Sequence, residues 1–323
     1  MAPIHFIART DQKMNTFFSQ LSGQAENRFW GHIHLLAKYC GLEGQPWLNG
    51  YLQHGWNATD GFGNYLGSKR SANKFVWSKR CENLIRNNGK QNVFAIGAPW
   101  IYLEDVYPQQ QKQNQSGIIA YPAHSSSWSK MGDTSKEYAN YLKDKYGEVM
   151  VVLHRYDFAN AETRKSFESV GHSITTHGVG TPWEKDFDPL FLKKQRDLVS
   201  GFSTVVSNSM STAVLYATSL GLTPEIGGPI SYSITNIDDK ASQVGDGSTD
   251  WNAKIMEPQN KLNLWKSELG LDCKKTPQEL GDILGWASKP RKTVTFFFAR
   301  TKDLFSGSTK AISLKVLTST VSK

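Results

Sequence analysis

The sequence has few cysteines and no long hydrophobic run, and these two absences exclude several classes of protein. Only three cysteines occur among 323 residues, widely spaced and without a CxxC pair. This argues against a disulfide framework and against a structural zinc site. No segment approaches the roughly 20 apolar residues of a membrane span, and the first residues lack the pattern of a secretory signal. We therefore expect a soluble protein of the reducing cytoplasm.

Several short motifs are also missing. The sequence contains neither GxGxxG after its first strand nor GxxxxGK[ST], which disfavours dinucleotide oxidoreductases and P-loop proteins. His154, Asp157, His172 and His177 could together hold a metal, but no ligand motif such as HExxH and no suitably placed DxD supports this. We predict a site without a metal.

Positive charge is concentrated near the C-terminal end of the sequence. The net charge is +8, and residues 289–323 hold eight Lys or Arg and one Asp. The preceding body is therefore close to neutral, which argues against a nucleic-acid groove. The basic tail either contacts anionic lipid at the inner face of the membrane or is a solvated end without a specific role.

Strands and helices alternate along most of the chain, which predicts an α/β fold with mostly parallel sheets. Residues 1–112 include one strand–helix–strand unit, and a Gln-rich segment, 106–116, separates them from a more regular second half at 113–288. In the second half, strands are predicted at 117–121, 148–153, 172–176 and 202–207.

Polar residues follow all four of these strands. Ligands of doubly wound sheets bind beyond the carboxyl ends of the strands, so we expect these side chains to lie around one ligand. The predicted ligand-binding residues are His124, Ser125, Ser126, Arg155, His177, Gly178, Ser207, Asn208, Ser209, Ser211 and Thr212.

The segment Ser207–Thr212 directly precedes a predicted helix. A helix start with several hydroxyl groups is a favourable site for phosphate, although a single serine would be enough for an ordinary N-cap. His124 and the two serines after it could meet the same phosphate or form a turn. Arg155 could neutralise a phosphate or a substrate carboxylate.

Two residues are candidates for catalysis. Asp157 is the only carboxylate at the four strand ends, and it could act as a base or a nucleophile, or simply cap a helix. His54 follows a predicted strand in the first half, and the glycine after it permits close approach of a ligand. It is the second candidate, as a base or as an acceptor-binding residue.

These strand ends carry a family resemblance. GxIxYPxHSSS at 117–127, VVLHRYD at 151–157 and SNSMSTAVLYATSLG at 207–221 resemble segments of bacterial capsule and O-antigen glycosyltransferases of the GT-B type. The HSS and serine motifs are also similar to those of sialyl- and Kdo-transferases, which use CMP-activated acids. The chain departs from the pattern in being short and in lacking a Glu-x7-Glu motif.

The resemblance implies two facing Rossmann-like domains with the active site between them. It also implies a glycosyltransferase that needs no metal and no cofactor beyond its nucleotide-sugar co-substrate. The acceptor would be a glycan or lipid-linked glycan of the cell surface. Two alternatives stay open at this point, a nucleotide-sugar epimerase on the same scaffold and a glycan-binding protein without activity.

Overall fold

The computed structural model describes residues 26–44, 46–62, 72–89, 91–109, 114–124, 129–131, 134–182, 184–229, 232–234 and 248–286. Its strands are β1 Gly50–Leu52, β2 Asn73–Val76, β3 Val93–Ala95, β4 Ile118–Tyr121, β5 Ser129–Met131, β6 Met150–Val152, β7 Ser173–Thr175, β8 Thr204–Ser207, β9 Thr223–Ile226 and β10 Tyr232–Ile234. Its α-helices are α1 His32–Tyr39, α2 Lys79–Asn87, α3 Leu103–Val106, α4 Ser135–Tyr146, α5 Arg155–Ala159, α6 Ala161–Glu168, α7 Phe191–Val199, α8 Thr212–Ser219, α9 Ser248–Met256, α10 Leu264–Glu268 and α11 Pro277–Ile283.

The second half of the chain forms a parallel sheet of five strands in the order β7-β6-β4-β8-β9. From β4, the chain adds β6 and then β7 on one side of the sheet. It then crosses back and adds β8 and β9 on the other side of β4. This is the doubly wound arrangement, and a crevice opens where the direction changes, between β4 and β8. Strand β9 was not predicted, because Pro224 and Glu225 interrupt the apolar pattern of an edge strand.

The first half contains a second parallel sheet, in the order β1-β2-β3. Ser78 caps the helix that follows β2, since its Oγ accepts a hydrogen bond from the backbone N–H of Cys81 at 3.4 Å. Two parallel sheets with connecting helices confirm the predicted α/β fold class.

A continuous hydrophobic cluster joins the two halves. It includes Trp77 and Trp100 from the first half and Val214 and Tyr216 from the second. The rings of Trp100 and Tyr216 stack with centroids 4.0 Å apart, and Trp100 Nε1 donates a hydrogen bond to Ser219 Oγ at 2.7 Å. Because stacked aromatic pairs have a defined geometry, this interface fixes how the two sheets face each other.

The last described helices return to the first half. Leu280 and Leu284 share a buried cluster with Ile33 and Leu36, and α11 begins with a capping box between Thr276 and Glu279. The division near residue 112 stays a prediction, and this packing shows that the chain crosses between the halves a second time. The predicted basic tail, 289–323, lies outside the described residues.

Within the described ranges, no helix combines the length and the apolar character that crossing a membrane requires.

Candidate functional site

A cavity of about 510 Å³ lies between the two halves, beyond the carboxyl ends of β4, β6, β7 and β8. Its volume is in the usual range for small-molecule sites, and its place is where doubly wound sheets bind ligands. The first half contributes Trp30 and the segment 54–58 that follows β1.

Most of the predicted ligand-binding residues meet at this cavity. The lining includes His54, His124, Arg155, His177, Gly178, Ser211 and Thr212. Ser207, Asn208, Ser209 and Asp157 are not among the lining residues, and Ser125 and Ser126 lie outside the described residues. The strand ends therefore converge as expected, while the chemical role of each residue stays a prediction.

Ser207 and Asn208 hold the loops around the cavity together. Ser207 Oγ donates to the carbonyl of Tyr121 at 2.6 Å. Asn208 Oδ1 accepts from the backbone of Ala123 at 2.7 Å, and its Nδ2 donates to the carbonyl of Pro229 at 2.9 Å. Both side chains are buried. These bonds tie the end of β4 to the end of β8, on either side of the crevice.

Helix α8 presents its N-terminus to the cavity. Ser211 Oγ caps it by accepting from the N–H of Val214 at 3.5 Å. Thr212 Oγ1 accepts from the backbone N–H of Trp56 at 2.8 Å, which links the two halves at the cavity wall. The positive end of the helix dipole favours an anionic group at this position.

The geometry separates Asp157 from Arg155, although they are two positions apart. Both belong to the short helix α5. Successive helical residues are turned by about 100°, so positions two apart point in nearly opposite directions. Arg155 lines the cavity and Asp157 does not. The side chain of Asp157 therefore does not line the cavity, although its position shortly after β6 predicted that it would.

His54 is a neutral imidazole with one buried nitrogen that has no hydrogen-bond partner in the described structure. Burial lowers its pKa to about 4, and a backbone hydrogen bond to Glu26 acts in the opposite direction. Its Nε2 is buried without a hydrogen-bond partner in the described structure, so the backbone of Glu26 must hold Nδ1. That bond fixes the tautomer and leaves Nε2 able to accept a proton. The ring of Phe29 packs on the imidazole, with centroids 4.5 Å apart.

Three further imidazoles, all from the second half of the chain, line the cavity. His154 stacks on His124 with ring centroids 4.4 Å apart. Burial, and then the proximity of His124 and Arg155, lowers the pKa of His154 to about 3. Burial lowers the pKa of His177 to about 4, and its Nε2 lies 2.8 Å from the hydroxyl of Tyr121. His154 and His177 are thus neutral near pH 7 and act as hydrogen-bonding groups rather than as cations.

Arg155 supplies the permanent positive charge of the described lining, and no Asp or Glu is present in that lining. Its guanidinium pairs with Glu184 and lies over the ring of Tyr156 at 4.1 Å. Glu184 offsets part of this charge, so the attraction for a negative group comes from Arg155 together with the N-terminus of α8, while the surrounding rings suit hydroxyl and apolar parts of a ligand. In the described part of the chain, no group of three His, Cys, Asp or Glu side chains is placed to hold a metal. The predicted independence of metal stays a prediction.

A buried ion pair fixes the wall formed by residues 54–58. Arg80 Nη2 lies 2.9 Å from Glu268 Oε2, and Trp56 Nε1 donates to the same oxygen at 2.7 Å. Arg80 also donates to the carbonyls of Asn57 and Ala58. Glu268 belongs to α10 and is only 3% exposed. The C-terminal segment that returns to the first half therefore supports this cavity wall through the contacts of Glu268 with Trp56 and Arg80.

Several lining residues were not predicted from the sequence. They are Trp30, Tyr121, Phe191, Gln195, Met210 and Tyr216, and His154, which also lines the cavity, was considered only as a metal ligand. The hydroxyl of Tyr216 is buried without a hydrogen-bond partner among the described residues. Buried groups of this kind commonly form their hydrogen bond with a ligand or a water molecule. The motif at 207–221 contained this tyrosine, but only the packing of α8 shows that it reaches the cavity.

The chain shows weak structural likeness to several known proteins. No family model and no curated protein matches the chain. A Listeria monocytogenes protein assigned as a UDP-N-acetylglucosamine 2-epimerase has a TM-score of 0.34 and 12% identity, over 49% of this chain and 42% of its own. The UDP-GlcNAc 2-epimerase of Neisseria meningitidis bound to UDP-GlcNAc has a TM-score of 0.32 and 13% identity, over 66% and 59%. TarM has a TM-score of 0.29 and 15% identity, over 66% and 42%. The matched part thus spans between 42% and 59% of the length of those proteins.

Proposed function

We propose that this protein is a glycosyltransferase that moves a sugar from a nucleotide-sugar donor to a glycan or lipid-linked glycan acceptor. The observation that supports this most directly is the composition of the cavity. The N-terminus of α8 and Arg155 both line the cavity, and they suit a phosphate. The segment 54–58 adjoins the start of α8 through the bond between Trp56 and Thr212, and it adds His54 with its unpartnered Nε2, which suits an acceptor hydroxyl.

The transfer step follows from this placement. Nε2 of His54 accepts a hydrogen bond from the acceptor hydroxyl and takes its proton while the hydroxyl oxygen forms a bond to the anomeric carbon of the donor sugar. Burial lowers the pKa of this imidazole to about 4, so the imidazolium forms only with the negative donor phosphate in the same cavity. The bond between that carbon and the phosphate oxygen breaks, and the nucleotide leaves with the electron pair. The dipole of α8 and the charge of Arg155 stabilise the phosphate as its negative charge develops.

The identity of the base is tested by a pair of variants. His54→Gln should lower kcat by at least ~100-fold, the usual scale for losing an acid or base group, with nearly unchanged nucleotide affinity. Asp157→Asn, in which the changed side chain lies outside the cavity lining, should retain most activity. The opposite pattern would assign the base to Asp157.

The reaction class is tested with the wild-type protein. Thermal shifts with CMP, UDP, GDP and their sugars should identify the donor, because a ligand at 100 times its Kd adds about 2.7 kcal/mol of stability. The matching labelled donor is then incubated with and without glycan acceptors. Transfer that requires an acceptor is the expected result. Formation of an isomeric sugar without any acceptor would indicate an epimerase, and glycan binding without nucleotide affinity would indicate a binding protein.

The surface-glycan acceptor and the membrane contact are proposals that rest on sequence. Residues 289–323 carry most of the net positive charge, and each Lys or Arg near an anionic surface contributes about 1 kcal/mol of attraction. The full chain should sediment with vesicles that contain phosphatidylglycerol and should be released by salt. Equal sedimentation of a variant that ends at residue 288 would refute the membrane contact.

A further inference from the structure

We propose that Trp30 is the platform for a sugar ring, so that this residue determines specificity for the sugar part of the ligand. The inference rests on the proposed function and adds a contact that no motif indicated. Trp30 belongs to the first half of the chain, and its half-buried indole lines the cavity beside the second half.

The backbone of Trp30 is strained. Its φ of 57° and ψ of 14° lie in the left-handed region, and no other non-glycine residue of the described ranges has a positive φ. A bulky residue persists there only where its surroundings hold it, and such positions cluster at functional sites. The N–H of Trp30 donates to the carbonyl of Gly180 at 2.8 Å. Gly31 follows with φ of 77°, and a Cβ there would lie 2.2 Å from the carbonyl oxygen of Pro189.

Neighbouring residues hold the indole of Trp30 in place. A Cβ on Gly180 would lie 1.9 Å from Cε3 of Trp30, so only glycine allows the ring to occupy this place. The ring of Phe191 supports the indole with centroids 4.8 Å apart. Backbone and side-chain contacts therefore hold the indole at the cavity wall, where a ligand can reach it.

The surroundings of the indole match a sugar. His154 lies at 6.4 Å between ring centroids, and its Nδ1 is buried without a hydrogen-bond partner in the described structure. An apolar ring beside an unpartnered hydrogen-bonding nitrogen suits a ligand that has both a C–H face and hydroxyl groups.

The location of Trp30 favours a sugar over the nucleotide base. Trp30 contacts Phe29, whose ring packs on His54. His54 is the proposed base, so the indole lies near the place where the two sugars react. The indole also packs against His154, which precedes Arg155 of the proposed phosphate site, and the donor sugar is bonded directly to that phosphate.

The test compares ligands with and without a sugar. Binding of UDP-N-acetylglucosamine and UDP, and of CMP-N-acetylneuraminic acid and CMP, is measured by calorimetry for the wild type, Trp30→Phe and Trp30→Leu. The matched control is Trp47→Leu, since Trp47 is 49% exposed and outside the cavity lining. Circular dichroism and thermal unfolding confirm that each variant is folded, and the conservative Trp30→Phe keeps an aromatic ring if Trp30→Leu does not fold.

For whichever pair the wild type binds, Trp30→Leu should weaken the nucleotide-sugar about tenfold, as expected for a lost aromatic contact, and leave the free nucleotide unchanged. Trp30→Phe should retain most of the affinity. If Trp30→Leu raises only the KM for the acceptor, the inference is also supported, and the sugar that packs on the indole is the acceptor sugar. Equal loss for nucleotide and nucleotide-sugar would overturn it in favour of a base platform, and unchanged affinities and KM would also overturn it. If the wild type binds no nucleotide-sugar, the proposed function itself fails, and this inference fails with it.

Discussion

Acidification to about pH 5.5 should destabilise the folded protein through its buried imidazoles. His32 shows the effect most clearly, because it is 1% exposed. Burial, and then the proximity of His54, lowers its pKa to about 3. His54, His154 and His177 have pKa values lowered to between about 3 and about 4. These four rings are therefore neutral in the folded protein at pH values where the unfolded chain binds protons.

The sign and size of the effect follow from linkage. An unfolded histidine has a pKa of about 6.5. The stability from each neutral ring is complete above that value and is lost as pH falls toward the pKa of the folded state. Between about pH 7 and about pH 5.5 each ring costs roughly 1.2 kcal/mol, so four rings cost roughly 5 kcal/mol. That is comparable to the whole stability of many domains.

Urea unfolding followed by circular dichroism measures this dependence at a series of pH values. His32→Gln removes one titrating ring, so between about pH 7 and about pH 5.5 it should reduce the mean slope of unfolding free energy against pH by ~0.8 kcal/mol per pH unit. Leu36→Val is a matched control, since Leu36 is buried in the same helix. It should lower the free energy without changing the slope. A wild-type slope below one proton in this range, or an unchanged slope in His32→Gln, would refute the reasoning.

Three further predictions concern the site. Activity should survive dialysis against EDTA, as measured by labelled transfer, and a loss that Mg²⁺ or Mn²⁺ restores would contradict it. Glu268→Gln removes the charge that pairs with Arg80, whose side chain is 22% exposed, so the free energy of unfolding should fall by about 2 kcal/mol and KM should rise; an unchanged midpoint and KM would count against this role. Ser209→Ala with Ser211→Ala removes the cap of α8, so nucleotide affinity should fall, whereas an unchanged Kd would remove the phosphate assignment.

The fold of the second half was largely predictable because its central strands β4, β6 and β8 are mostly buried on both faces. Such strands appear as short apolar runs, for example Ile118–Tyr121 and Met150–Val152. The helices between them end at glycines, such as Gly147 and Gly221, which have positive φ. Strand β9 lacked this pattern, because Pro224 and Glu225 interrupt its apolar residues.

The site was predictable only where it depends on topology. Parallel strands bring their carboxyl ends to one edge, so His124, Arg155 and His177 could be placed together without coordinates. The direction of a side chain on a helix and the partners of a returning segment are not encoded in a local motif. For this reason Asp157 was placed at the same edge as Arg155, and the support of the cavity wall by Glu268 was not expected.

Packing between the halves and ligand binding use the same residues. Tyr216 stacks on Trp100 across the interface and also lines the cavity with an unpartnered hydroxyl. Thr212 lines the cavity and accepts a hydrogen bond from Trp56 of the other half. A ligand that contacts these groups therefore binds both halves at once and stabilises their present arrangement over any more open one. A ligand bound at this cavity should therefore stabilise the packing between the two halves as well as the fold of the second half.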